Sequence, residues 1–158
     1  ISVEPFDYCI NNIKTNIELN KFKNIYIEQK VLFNQPKLQK KLDYSLGVGG
    51  ASIVRDFGLV KYLNAETTTI DELVIKHKLN PNFIKLDIEG AEYDALLGSF
   101  QTLKNNDLAI CLECTEEKNF YQIKNFLNQY NYSPYYFNQN NLDKLTQFRP
   151  LGNVFFLK

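Results

Sequence analysis

A chain of 158 residues, 44% hydrophobic and 14% aromatic, can build one globular domain with a sizeable core. Its 18 basic and 18 acidic residues cancel, so no net field draws nucleic acid or an anionic membrane, and no nucleic-acid partner is expected. No apolar run approaches the ~20 residues of a membrane span and no signal-peptide pattern is present, so the expected location is cytoplasmic.

Ile1 and Val3 read as the tail of a strand ending at Glu4, with Pro5 and Phe6 starting a turn. A helix is expected from about Asp7 to Asn20, with Tyr8, Ile13, Ile17 and Leu19 as its apolar positions. Asn24 to Val31 alternates like a second strand, which makes the unit β-α-β. In such units an acid at the end of the first strand accepts hydrogen bonds from ribose hydroxyls. Glu4 suits that task; the plainer reading is a surface acid near a helix N-terminus.

From Leu32 to Thr69, Gln, Lys, Asn and Gly dominate and periodicity fades. Lys37 to Tyr44 is read as a polar strand, and Gly47-Val-Gly-Gly-Ala-Ser52 as a turn whose glycines lack the G-x-G-x-x-G order of a phosphate cradle. Thr69 then caps a helix, with Glu72 three residues on completing a capping box.

Phe83, Ile84, Leu86 and Ile88 form a short apolar run after the turn residues Pro81 and Asn82, and predict an interior strand. Gly90 breaks it, and Ala91, Ala95, Leu96 and Leu97 follow with helical spacing up to Gly98. Asp87, Glu89 and Glu92 therefore stand where a strand's carboxyl end passes into a helix, the rim at which ligands bind in open α/β sheets. Asp87 and Glu89 lean to the same side of an extended backbone, and an acid among apolar neighbours on an interior strand is costly unless it has a role. For Glu89 and Glu92 the plainer reading is attraction to the positive helix N-terminus.

Asp107 to Glu113 is another apolar strand, and it carries Glu113 to the same rim. Cys111 and Cys114 have the spacing of a redox or zinc pair, but on a strand they point to opposite faces, so they read as small buried apolar residues. A helix over about Glu117 to Tyr130 carries Phe120, Ile123, Phe126 and Leu127 along one stripe. Tyr132 to Phe137 reads as an outer strand, Leu142 to Phe148 as a connector and Asn153 to Lys158 as the closing strand.

Lys85-Leu-Asp-Ile-Glu-Gly-Ala-Glu92, followed by Leu96-Leu97-Gly98, resembles the K-I-D-V-E-G-A-E and L-x-G signature of FkbM-type S-adenosylmethionine-dependent methyltransferases. Val3-Glu4-Pro5 with Asn16-Ile-Glu-Leu-Asn20 is similar to that family's F-E-P and N-x-x-L-N segment, and Thr68 to Leu73 to its T-T-L-D-E-L. The resemblance implies an α/β fold: a class I, Rossmann-like sheet of seven strands, mostly parallel with an antiparallel last strand, in one methyltransferase domain over residues 1–158. It also implies that the family's first strand and glycine-rich motif belong before Ile1, so an N-terminally incomplete domain is expected. A gap should then separate the strand ending at Glu4 from the Phe83–Ile88 strand.

The chemistry implied is methyl transfer from S-adenosyl-L-methionine to a hydroxyl of a small molecule or glycan. On this reading Asp87 and Glu89 are catalytic, Glu4, Asp87 and Glu113 bind the cofactor, and Asp87, Glu89 and Glu92 are the ligands if Mg²⁺ is used. A comparable Gly-Ser segment in the family gives Ser52 and Arg55 a secondary claim to touch substrate. The alternative is a non-catalytic methyltransferase-like module that binds a nucleotide or a protein.

Overall fold

The computed structural model describes residues 1–55, 61–150 and 152–158, so the part of the weakly patterned Leu32–Thr69 region at 56–60 lies outside the described residues. The first half contains β1 (Ser2–Val3), α1 (Asp7–Leu19), β2 (Ile27–Glu28), β3 (Val31–Leu32), β4 (Gln39–Asp43), β5 (Tyr62–Thr68) and α2 (Ile70–Lys76). The second contains β6 (Phe83–Leu86), α3 (Glu92–Leu97), α4 (Phe100–Asn105), β7 (Ala109–Cys114), α5 (Glu117–Asn128), β8 (Ser133–Asn138), β9 (Asn141–Lys144) and β10 (Gly152–Leu157).

Among the described residues the expected single, mostly parallel sheet is instead three sheets of mixed direction. β6-β7-β10-β8-β9 is the largest, β3-β5-β4 forms a second, and β1 pairs with β2 alone. The short links explain the departure, since two residues join β8 to β9 and a tight link of that kind permits only an antiparallel pair. By contrast, the helical crossover through α3 and α4 lets β6 and β7 run parallel. The last strand is antiparallel as expected, but it lies between β7 and β8.

Alternation and helical stripe meet in the main core. Ile110 and Leu112 of β7, Phe120, Ile123 and Leu127 of α5, and Val154 and Phe156 of β10 are all fully buried. A second, smaller cluster, Val31, Leu42 and Ala65, lies within the β3-β5-β4 arm. Cys111 and Cys114 are free and buried. Burial pushes the Cys114 thiol up to about 12, which leaves it unreactive at neutral pH.

The strand expected over Phe83–Ile88 is shorter, and among the described residues it is not interior: β6 pairs on one side, with β7. Among the same residues β1 has one partner, β2. The free edges of β1 and β6 face each other across a cleft of about 360 Å³ lined by Val3, Leu32, Ile70, Leu73 and Ile84. Val3, Asp87 and Ile88 line both this cleft and the larger pocket beyond it, so β1 and β6 present their carboxyl ends to the same place. No helix among the described residues is long and apolar enough to cross a membrane.

One buried ion cluster ties β2 to α2. Glu28, 6% exposed, accepts hydrogen bonds from Lys76 Nζ at 2.7 and 2.8 Å, and His77 Nε2 lies 2.5 Å from its Oε1. Burial opposes the charge, but the hydrogen bonds and charges of Lys76 and His77 outweigh it and hold the carboxyl below its ordinary 4.5. A carboxyl depressed in the folded state contributes stability that is complete above the unfolded value and drains away as pH falls through the folded one. Glu28→Gln should therefore cost about 1.5–3 kcal/mol at neutral pH. Urea titrations should show that cost shrinking below pH 4.5.

Candidate active site

Acids gather at the carboxyl ends of β1, β6 and β7, three of them lining one pocket and Glu113 lying beside two of these. A pocket of about 430 Å³ has Glu4, Asp87 and Glu89 on one side and Val31, Leu42 and Ile53 among its apolar walls. Carboxylate oxygens of Asp87, Glu89 and Glu113 all lie within 4.8 Å of one another. The three come together because residues 87 and 89 follow β6 and residue 113 lies near the end of its parallel neighbour β7, with Leu86 opposite Leu112.

Asp87 is not the buried acid expected from an interior strand. Its side chain is 50% exposed and takes a 2.6 Å ion pair from Lys85, two residues back on the edge strand. The hydrogen bond to Asp87 pushes the Lys85 ammonium up from its ordinary value. Glu113 is shifted the other way for a carboxylate: burial first, then the negative charges of Asp87 and Glu89, push it up. Glu4 lines the pocket while its Oε1 accepts a 2.9 Å hydrogen bond from the Phe6 amide, so the acid also serves the entry to α1.

Glu92 stands apart from the acids with which it was grouped in the metal assignment. It is 1% exposed, and its Oε1 accepts from the Ile88 and Gly90 amides at 3.1 and 3.2 Å while Oε2 accepts from Asn119 at 3.2 Å. Its carboxylate folds the turn rather than facing the cluster, and Glu113 replaces it as the third acid close to Asp87 and Glu89. The turn it holds is strained, with Glu89 at φ 55 and Gly90 at φ 97. A left-handed residue other than glycine costs on the order of 1–3 kcal/mol and persists only where its surroundings fix it.

Two residues with a secondary claim on the sequence turn out to touch this turn directly. The Ser52 hydroxyl donates to the Glu89 carbonyl at 2.8 Å. Arg55 pairs with Glu89 at 3.3 Å and with Glu116 at 3.0 Å. A usable signal was the scarcity of arginine, for Arg55 and Arg149 are the arginines of a lysine-rich chain, and guanidinium suits the joining of two carboxylates. Lys85, part of the sequence signature, takes its task from the pairing with Asp87.

An acid-rich rim beside an apolar pocket at converging strand ends makes a candidate ligand site on an α/β domain. The family model for the methyltransferase FkbM domain matches residues 1–134, and the chain belongs to that family. The crystal structure of a methyltransferase FkbM from Methylobacillus flagellatus KT aligns with a TM-score of 0.65 at 13% identity, over 99% of this chain and 35% of that one. That likeness supports the α/β fold, and the chain spans about a third of the length of that structure. No curated protein matches the chain.

The distinct placements of Glu92 and Asp87 give opposite mutational signatures. Glu92→Ala leaves two backbone amides without an acceptor and should cost about 2–4 kcal/mol of stability. Asp87→Ala, at an exposed ion pair, should change the unfolding free energy by no more than about 0.5 kcal/mol. Chemical denaturation of both variants checks the contrast.

Proposed function

We propose that this domain carries out S-adenosylmethionine-dependent O-methyl transfer to a hydroxyl of a small molecule or glycan. The observation that carries the reading is the convergence of Glu4, Asp87 and Glu89 on one pocket, in a chain of the FkbM methyltransferase family. The residues fit that cofactor: a carboxylate at the end of β1 suits ribose hydroxyls, apolar walls suit an adenine, and an acid rim suits ammonium and sulfonium charge. When bound, the cofactor supplies an electrophilic methyl group.

The chain's own part is positioning and proton handling. Glu4 would accept hydrogen bonds from the ribose hydroxyls, and Asp87 with Glu113 would offset the cofactor's positive charge. Glu89 or Asp87 would orient the acceptor hydroxyl and take its proton, the cofactor leaving as its neutral thioether. Lys85 and Arg55 already pair with Asp87 and Glu89, so no step is routed through Mg²⁺.

The single domain over residues 1–158, completed by a further strand with its glycine-rich turn in the β1–β6 cleft, is part of the same proposal. Two free parallel edges and an apolar lining suit such a strand. The second reading is a non-catalytic methyltransferase-like module, which would use the same pocket to bind a nucleotide or a protein without turnover. Calorimetry with S-adenosylhomocysteine separates the two. On the enzyme reading the 158 residues bind weakly or not at all, and a longer polypeptide supplying the strand binds tightly and methylates hydroxyl compounds; binding without transfer to any acceptor favours the module.

In the longer polypeptide, Glu4→Ala should weaken S-adenosylhomocysteine by about 1–3 kcal/mol, and wild-type affinity would remove Glu4 from the site. Asp87→Ala should abolish label transfer from methyl-labelled cofactor while far-ultraviolet circular dichroism stays unchanged. Undiminished turnover would count against the assignment.

A further inference from the structure

The segment joining β4 to β5 does more than wall the pocket. Ser52 is 1% exposed and is fixed to the end of β4 by two 2.9 Å backbone hydrogen bonds with Asp43. From that anchor its hydroxyl donates to the Glu89 carbonyl at 2.8 Å and accepts from the amides of Val54 and Arg55 at 3.2 and 3.1 Å. The second of those bonds orients the backbone from which Arg55 reaches the Glu89 carboxylate. Both ends of Glu89, its peptide and its side chain, are thus held by residues three apart on one arm.

We propose that Ser52 and Arg55 are positioning residues for Glu89, which hold its left-handed peptide and its carboxylate in register with Asp87 and Glu113. The chemical consequence rests on the methyltransferase reading; the clamp itself does not. A left-handed residue followed by glycine is a peptide able to flip, and a flip would break the Ser52 bond and withdraw the Gly90 amide from Glu92. Close contact enforces the arrangement from the other side: a Cβ on Gly90 would lie 3.3 Å from Arg55 Nε and 3.4 Å from Val54 Cγ2. The other guanidinium nitrogen reaches Glu116, the N-cap of α5, so Arg55 joins the turn after β6 to the turn after β7. Val48, Gly49, Ala51 and Ile53 of the same segment line the pocket, so the clamp stands beside the space an acceptor would fill.

Amide hydrogen exchange of the full chain tests the clamp without any ligand. Ser52→Ala and Arg55→Ala should each raise exchange at Gly90 by about tenfold or more while the β7 amides keep their protection, since local opening is distinct from global unfolding. Ser52→Thr keeps the hydroxyl and Arg55→Lys the charge, and each should restore protection at Gly90. Unchanged Gly90 exchange in both alanine variants overturns the proposal. So does an increase matched throughout β7, which would mark the two residues as merely structural. Calorimetry of the strand-supplied wild type with S-adenosylhomocysteine separates the two claims: selective Gly90 loosening without binding upholds the clamp and refutes the cofactor reading.

Discussion

The carboxylate of Glu92 is the interaction on which the site depends. Buried and saturated by two amides and Asn119, it closes the chain on itself between β6 and α3. That closure turns Asp87 and Glu89 outward at the strand end while α3 packs inward through Ala95 and Leu96. A charge so placed is tolerable only because its hydrogen bonds replace the water it has lost. The tight docking of α3 continues at Gly98, where a Cβ would lie 2.5 Å from the Phe33 carbonyl. The spacing from Glu92 to Gly98 thus fixes both ends of the helix, one by an acid that caps the turn and one by the absence of a side chain.

Elements governed by local pattern could be read from residues alone. The α1 boundaries, the Thr69 cap on the Glu72 amide and the apolar stripe of α5 all agree with their spacing, because each is decided within one or two turns of chain. Of the capping box only half formed, since the Glu72 carboxylate accepts from the Thr68 hydroxyl instead of returning to the cap. Long-range pairing was less visible. β5 escaped notice because its residues, Tyr62 to Thr68, mix polar side chains with half-buried ones, and their burial comes from β3 and β4, strands distant in sequence. The edge position of β6 was equally hidden, because an apolar run records that a face is covered and says nothing of how many neighbours supply ladder hydrogen bonds.

At the site, the acids were legible and their partners were not. Spacing put Asp87 and Glu89 on one side, and the strand pattern brought Glu113 beside them. Glu92, grouped with them from the sequence, spends its carboxylate on the amides of the turn, whose backbone Glu89 and Gly90 set with positive φ. Ser52 and Arg55 lie more than thirty residues from Glu89 in sequence, so only the folded arm could reveal that they touch it. With Lys85 and Arg55 in place, three clustered acids carry much less repulsion than their count implies. Glu113, pressed first by burial and then by the charges of Asp87 and Glu89, shows what remains as a raised affinity for its proton.

The unequal division of the apolar interior has a dynamic corollary. The large cluster around β7 and α5 and the trio Val31, Leu42 and Ala65 in the arm are separate groups of contacts, and small groups open more readily than large ones. Breathing should therefore begin in the arm, while the sheet that bears Asp87 and Glu113 stays closed. One wall of the pocket thus rests on three buried side chains, and the wall facing it on the large interior cluster.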